Sequence, residues 1–173
     1  MKKISQLLIV GILALTIVFS LAEPVKALSQ TELVDLVEEE MTAEYLYAEL
    51  YKKYPENQLF SNLAESENRH SNALTRVISR LGMSTEDAKI QDIEIPETKE
   101  EALEFAMTFE KEDIEMLENL LESVENNRLE RVLRNLLKGS TQHYETLQKA
   151  LEEGIDNLTC NEGRSEQNKN RNR

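Results

Sequence analysis

The chemistry of this chain is concentrated in its two histidines and in the acidic residues that share helical faces with them. Glu67 precedes His70 by three residues, so in a helix the two side chains lie one turn apart on the same face. A carboxylate oxygen and an imidazole nitrogen in this arrangement suit iron, manganese or zinc. His143 lies on a different segment. The Glu-x-x-His spacing therefore predicts a metal site whose other ligands come from elsewhere in the chain.

Further candidate ligands interrupt apolar stripes that repeat with the helical period of about 3.6 residues. Each interruption falls near the middle of its segment, so packed helices would bring these groups to one height. A buried, isolated carboxylate is costly or becomes protonated, and several in one layer repel each other. One or two divalent cations would turn such a layer into a binding site. The predicted metal ligands are Glu40, Glu67, His70, Glu110, Asp113 and His143.

Other interpretations of these polar residues stay open. A single Glu or His on a helical stripe commonly lies at the edge of the stripe and reaches water, which would make the bundle metal-free. Tyr47 lies two turns after Glu40 and is interpreted as core packing, with a hydrogen bond to a metal ligand as the alternative.

The elements that must position these residues are four helices. Sequences typical of capping boxes open the first and third segments, SQTE at residues 29–32 and TKEE at 98–101. Pro55 ends the first segment, Gly82 is placed for a left-handed C-cap of the second, and Asn127 is the expected N-cap of the fourth. The predicted helices cover approximately residues 29–54, 57–81, 98–124 and 127–153.

The predicted fold class is all-α, a four-helix bundle over residues 28–154. Short turns make hairpins of the first and the last helix pairs. The connector at residues 83–97 could reach roughly 50 Å when extended, enough to cross the bundle from end to end. A crossover between the second and third helices is the expected topology, and a local loop is the alternative.

The N-terminus has the pattern of a signal peptide over residues 1–27. Lys2 and Lys3 precede an apolar run from residue 7 to 21, and Val25 and Ala27 form a small-x-Ala site, which predicts cleavage after Ala27. The apolar run is shorter than the roughly 20 residues that a spanning helix needs. We therefore expect export to the cell envelope or the medium, without stable membrane insertion after cleavage.

The charge and the C-terminal tail narrow the partners. A formal net charge of −13 repels nucleic acid, so no nucleic-acid partner is expected. Residues 155–173 are polar and predicted to be disordered, and Cys160 is the chain's single cysteine, so it cannot form an internal disulfide. The expected partners are metal ions, with dioxygen or peroxide as reactants, and a homodimer is compatible with the sequence.

Several of these segments resemble known families. Residues 38–47 resemble the first metal helix of rubrerythrin-like proteins, which belong to the ferritin-like superfamily. Residues 64–70, 110–114 and 139–143 resemble the domain-of-unknown-function 2202 family, a ferritin-like group of exported or envelope proteins. The resemblance covers about residues 31–153 and implies a ferritin-like bundle with iron as the expected metal, as a di-iron or a mononuclear site.

The resemblance assigns ligand roles to Glu40, Glu67, His70, Glu110 and His143. This chain departs from the di-iron pattern at Ser140, where the glutamate of a second Glu-x-x-His would stand. Asp113, one turn from Glu110, could supply the missing oxygen. Gly139, in the middle of a helix, indicates a close helix approach or a local kink beside the site.

Three functions follow from this sequence. The first is a di-metal oxidoreductase, of the ferroxidase, peroxidase or oxygen-activating kind. The second is metal binding without turnover, which Ser140 makes plausible, with manganese or zinc as alternatives to iron. The third is a metal-free exported four-helix interaction module. With a single cysteine, the chain has no Cys-x-x-Cys module to serve as a built-in electron donor.

Overall fold

The computed structural model describes residues 28–154 and contains four helices in this part of the chain: α1 (Gln30–Lys53), α2 (Gln58–Arg80), α3 (Lys99–Ser123) and α4 (Asn127–Glu153). No strand is present among the described residues, so the all-α fold class is confirmed. No helix in this part is long and apolar enough to span a bilayer. The predicted signal peptide, the polar tail and Cys160 lie outside the described residues.

The helix ends follow the capping signals with one exception. Ser29 and Thr98 each form a complete capping box, and Gly82 adopts φ +80° after the C-terminus of α2. The expected N-cap at Asn127 is wrong, because Asn126 has this role. The side-chain oxygen of Asn126 accepts hydrogen bonds from the N–H groups of the second and third helical residues, which makes Asn127 the first residue of α4.

The helices form two hairpins whose packing fixes the direction of each helix. α1 packs mainly on α2 and α3 on α4, and the hairpins meet along α2–α4 and α1–α3. One apolar cluster joins Leu33 near the start of α1 to Leu74 and Leu117 near the ends of α2 and α3, and to Leu133 early in α4. A second cluster joins the opposite halves of the helices. Helices α1 and α4 therefore run one way, and α2 and α3 run the other way.

This arrangement confirms the crossover, because the connector between α2 and α3 follows α1 along its whole length. Its hydrogen bonds with α1 progress in step along both segments. They join Ser84 to Gln30, Lys89 to Glu38, Gln91 to Thr42, and Pro96 to Lys53. The connector thus starts beside the first residues of α1 and arrives beside the last, where α3 begins.

Candidate metal centre

The six predicted ligands lie between the two apolar clusters. Five of them are buried, with 0–3% of their surface exposed, and the side chain of His70 is 13% exposed. The buried five are Glu40 on α1, Glu67 on α2, Glu110 and Asp113 on α3, and His143 on α4. The agreement in height expected from the sequence therefore appears in the fold, with every helix contributing to one polar layer.

Glu67 is the centre of this layer. Its Oε2 lies 2.8 Å from Nδ1 of His70, and its Oε1 lies 2.6 Å from Nδ1 of His143. The two imidazole rings are stacked, with centroids 5.6 Å apart and an interplanar angle of 22°. One carboxylate thus reaches both histidines with different oxygens, which is the geometry of a ligand that can bridge two ions.

Each histidine is accompanied by a second carboxylate. Glu40 Oε2 lies 3.3 Å from Nδ1 of His70, and Glu110 Oε1 lies 3.4 Å from Nδ1 of His143. Two triads result, one from α1 and α2 and one from α2, α3 and α4, and they share Glu67. In each triad one ligand atom per residue lies within 4.8 Å of the others. Two ligand atoms that each bind one metal ion at about 2.0–2.2 Å lie at most about twice that distance apart. The spacing of the ligand atoms within each triad is close to this value.

The electrostatics of the layer favour a cation. Burial raises the pKa of Glu40 well above its usual range, and the carboxylates of Asp113 and Glu67 add to this. Burial and the charge of Glu67 raise the pKa of Glu110 to about 7. Burial also acts to raise the pKa of Glu67, but the two histidines outweigh burial and lower it. The buried polar residues of the described chain include no lysine or arginine to compensate these carboxylates.

The hydrogen bonding of Glu40 is a second observation that fits a bound metal ion. Both carboxylate oxygens of Glu40 are buried and accept no hydrogen bond. A buried acceptor without a partner costs about 1–3 kcal/mol, and more when it is charged. A divalent ion in the triad with Glu67 and His70 would give one of these oxygens a partner, because each residue of the triad offers one ligand atom.

Asp113 is expected from the sequence to supply an oxygen missing at Ser140, and the structure groups it with a residue that the sequence pattern did not single out. Asp113 lies with Glu39 and Glu40, one oxygen of each falling within 4.8 Å of the others. The Ser140 hydroxyl donates to the Leu136 carbonyl at 3.1 Å. Glu39 is buried, with 7% of its surface exposed. Its signal in the sequence is its position three residues after Leu36, on the edge of the apolar stripe.

Gly139 leaves the space that the His70 ring occupies. A β-carbon at Gly139 would lie 2.5 Å from Cε1 and 2.6 Å from Nε2 of the His70 ring, closer than non-bonded atoms approach. The His70 ring therefore packs directly against the backbone of α4 at Gly139. Of the two interpretations of Gly139, the structure supports the close helix approach.

Gly139→Ala should weaken metal binding at the His70 triad by about 10- to 100-fold, the range seen when groups that orient a ligand are changed. The metal-free fold should stay within about 1 kcal/mol of wild type, because alanine favours helix and His70 can swing outward. Calorimetric titration with Zn²⁺ and thermal unfolding measure the two effects. The exposed neighbour supplies the control, Lys138→Ala, which should change neither. Equal affinity in Gly139→Ala and wild type would contradict the role of Gly139.

Tyr47 both packs in the core and forms a hydrogen bond to a candidate metal ligand, so the two interpretations of this residue hold together. Its side chain is buried in the apolar cluster, and its hydroxyl donates to Glu110 Oε1 at 2.5 Å. Burial and the charge of Glu110 raise the pKa of Tyr47 well above its usual range, so the hydroxyl keeps its proton. Tyr47 thus fixes the orientation of a carboxylate that also approaches His143.

Tyr47→Phe should lower the free energy of unfolding of the metal-free protein by about 1–3 kcal/mol, because a buried hydrogen bond to a carboxylate is lost. Tyr51→Phe is the matched control: the Tyr51 hydroxyl accepts an exposed hydrogen bond from Gln58, 3.3 Å long, and its loss should cost less than about 0.5 kcal/mol. Chemical denaturation of both variants measures the difference. Equal losses would show that Tyr47 acts through packing alone.

Fold and site together define a class: a four-helix bundle with a crossover and a buried layer of carboxylates and histidines. The family model described as "Uncharacterized protein domain (DUF2202)" matches residues 29–169, and the chain belongs to this family. The resemblance to that family seen in the sequence is thus confirmed.

One relative is similar to this chain in both sequence and structure. The uncharacterized protein MJ0754 of Methanocaldococcus jannaschii is 27% identical over 153 residues, which cover 79% of this chain and 82% of the relative. The crystal structure of the hypothetical protein MJ0754 from Methanococcus jannaschii superposes with a TM-score of 0.65 at 26% identity, covering 79% of this chain and 88% of that chain. The bundle is therefore similar to a solved structure over most of its length.

Proposed function

We propose that this protein is a ferritin-like metalloprotein that binds two divalent metal ions, with iron as the native metal, in the core of its bundle. The observation that carries the proposal is the position of Glu67, whose two oxygens face two different histidines. Glu40 completes one triad and Glu110 the other. Three carboxylates and two imidazoles from four helices are a donor set that suits iron and manganese.

The residues divide the work between the two ions. Glu67 would bridge them and set their separation, while Glu40 with His70 and Glu110 with His143 would each hold one ion. Tyr47 orients Glu110 through its hydroxyl. The side chain of His70 is 13% exposed, whereas that of His143 is 1% exposed, so solutes would approach from the His70 side. With three protein ligands for each ion, positions remain for water or a small reactant.

Iron bound in this way would supply one-electron redox chemistry, and the proposed activity is of the ferroxidase or peroxidase type. The chain's own part is to exclude bulk water, to hold the ions, and to accept the charge of the bound metal on buried carboxylates. Metal binding without turnover is the second candidate, because Ser140 stands where a di-iron protein would have a further glutamate. Export through the N-terminal segment belongs to the same proposal.

Anaerobic titration of the metal-free protein with Fe²⁺ tests the proposal. Saturable uptake of two ions per chain, with magnetic coupling between them, is expected. Uptake of one ion would contradict the bridge, and no stoichiometric uptake would refute the metal function and leave the interaction module. Addition of oxygen or peroxide to the loaded protein then separates the two candidates: oxidation faster than in protein-free Fe²⁺ supports redox activity, and an unchanged rate supports sequestration.

A further inference from the structure

A second group of carboxylates lies beside the two triads and contains no histidine. Glu39 and Glu40 of α1 and Asp113 of α3 each place one oxygen within 4.8 Å of the others. All three are buried, with 7%, 1% and 3% of their surfaces exposed. Only Glu40 belongs also to a triad with histidine. Glu39 and Asp113 therefore add two buried carboxylates that the centre around Glu67 does not use.

Asp113 Oδ1 is buried without a hydrogen-bond partner, while other contacts of the Asp113 carboxylate are with Ser140 and Glu39. The oxygens of Glu40 also accept no hydrogen bond, although Oε2 lies 3.3 Å from Nδ1 of His70. No lysine or arginine is found among the buried polar residues of the part that the structure describes. Two divalent ions in the triads would bring four positive charges to a layer of five carboxylates, so one negative charge stays unbalanced when all five are ionised. A buried charge without a counter-charge is costly, and a further cation would compensate it.

The surface beside this group is also acidic. A groove of about 420 Å³ lies between α1 and α3, and its lining includes Glu32, Asp35, Glu112 and Glu115. Glu39 lies one turn after Asp35 along α1, and Asp113 one turn before Met116, another lining residue of the groove. The groove thus comes within about one helical turn of the buried group on both helices. A cleft lined by one sign of charge raises the local concentration of counter-ions, here cations.

We propose that Glu39, Glu40 and Asp113 form a third, all-oxygen cation site that takes Mn²⁺ supplied from the acidic groove. Carboxylate oxygens without imidazole select hard ions such as Mg²⁺, Ca²⁺ and Mn²⁺. Ca²⁺ takes six to eight oxygen ligands and Mg²⁺ keeps several waters, so a buried set of three carboxylates suits them less well than Mn²⁺. The site shares Glu40 with the proposed iron centre, but its occupation can be tested separately.

The experiment loads the purified protein with two equivalents of Zn²⁺, which the histidine triads bind in preference to Mn²⁺. Mn²⁺ is then added, and its binding is followed by electron paramagnetic resonance. Wild type should bind one further Mn²⁺, and Glu39→Gln should weaken this binding at least tenfold. Glu38→Gln is the matched control: Glu38 Oε1 accepts from the Lys89 N–H, a role that the glutamine oxygen keeps. Its Mn²⁺ affinity should equal that of wild type.

The failures of the two proposals differ. Equal Mn²⁺ binding by Glu39→Gln and wild type, or no Mn²⁺ uptake after Zn²⁺ loading, would overturn the third site while leaving the iron centre intact. Uptake of Mn²⁺ but not of Zn²⁺ would refute the histidine centre and keep the third site. If Glu39→Gln does not fold, anomalous diffraction from Mn²⁺-soaked wild-type crystals decides: a peak between Glu39 and Asp113 supports the site, and no peak there overturns it.

Discussion

Glu67→Gln should abolish the binding of both metal ions, with an affinity loss above the roughly 100-fold that changes outside the ligand set can cause. The two oxygens of Glu67 lie against His70 and His143, so one substitution removes the negative charge shared by both triads. Glu65→Gln, two residues earlier on the same helix, is the matched control. Glu65 forms an exposed ion pair with Arg69, 3.1 Å long, and its substitution should leave metal binding unchanged.

Thermal unfolding with and without metal gives a second readout of this substitution. Ligand at 100 times its dissociation constant stabilises a folded protein by about 2.7 kcal/mol, and this gain should disappear in Glu67→Gln. In metal-free wild type, His70 and His143 hold the pKa of Glu67 below its usual range, which shows a favourable interaction with its carboxylate. The substitution removes this carboxylate charge, so the metal-free variant should be less stable than metal-free wild type. Retention of one ion by the variant would show that the triads do not depend on a common bridge.

The largest features of this fold and site follow from the sequence. The apolar periodicity and the capping boxes at Ser29 and Thr98 place the helices, and the polar residues that interrupt the stripes mark the layer of Glu67 and its neighbours. Burying a glutamate in the middle of an apolar stripe costs free energy, so its presence there indicates a buried partner. Local patterns suffice here because the helices are long and strongly periodic.

The crossover and the role of Asn126 depend on information that local patterns lack. The length of the connector permits either a local loop or a path across the bundle, and only its hydrogen bonds to α1 decide between them. Asn126 and Asn127 carry the same N-cap signal, and the choice between them depends on which side chain reaches the free N–H groups of Arg128 and Leu129.

The grouping of Glu39 with Asp113 within the site also could not be predicted from local sequence patterns. Glu39 lies at the edge of its stripe, where periodicity does not tell whether solvent or another helix covers it. Because α1 and α3 are antiparallel, the residue before Glu40 on α1 meets the residue one turn after Glu110 on α3. This pairing depends on the topology, so the position of Asp113 with Glu39 and Glu40 becomes visible only in the assembled bundle.

The metal-free protein should lose stability as the pH rises from about 4.5 to above 7, the reverse of the metal-loaded protein. Burial, the largest cause in both, raises the pKa of Glu110 from 4.5 to about 7 and that of Asp113 from 3.8 to about 6. The folded chain therefore holds protons that the unfolded chain has released, and the stability that they provide is lost as pH rises through the folded-state pKa values. A tenfold difference in proton affinity between the two states corresponds to about 1.4 kcal/mol, so the loss should be of the order of 3 kcal/mol for each of the two groups.

Metal reverses this slope because a bound ion requires ionised carboxylates, so its affinity rises with pH over the same interval. Urea denaturation at pH 5 and pH 8, with chelator and with saturating metal, measures both curves. The acidic surface weakens both forms alike as pH rises, so the difference between the curves isolates the buried layer. Glu110→Gln should reduce the slope of the metal-free curve, since an amide at this position does not titrate, and the remaining slope comes from Asp113. Parallel curves for the two forms would mean that the buried carboxylates do not carry the pH dependence of the fold.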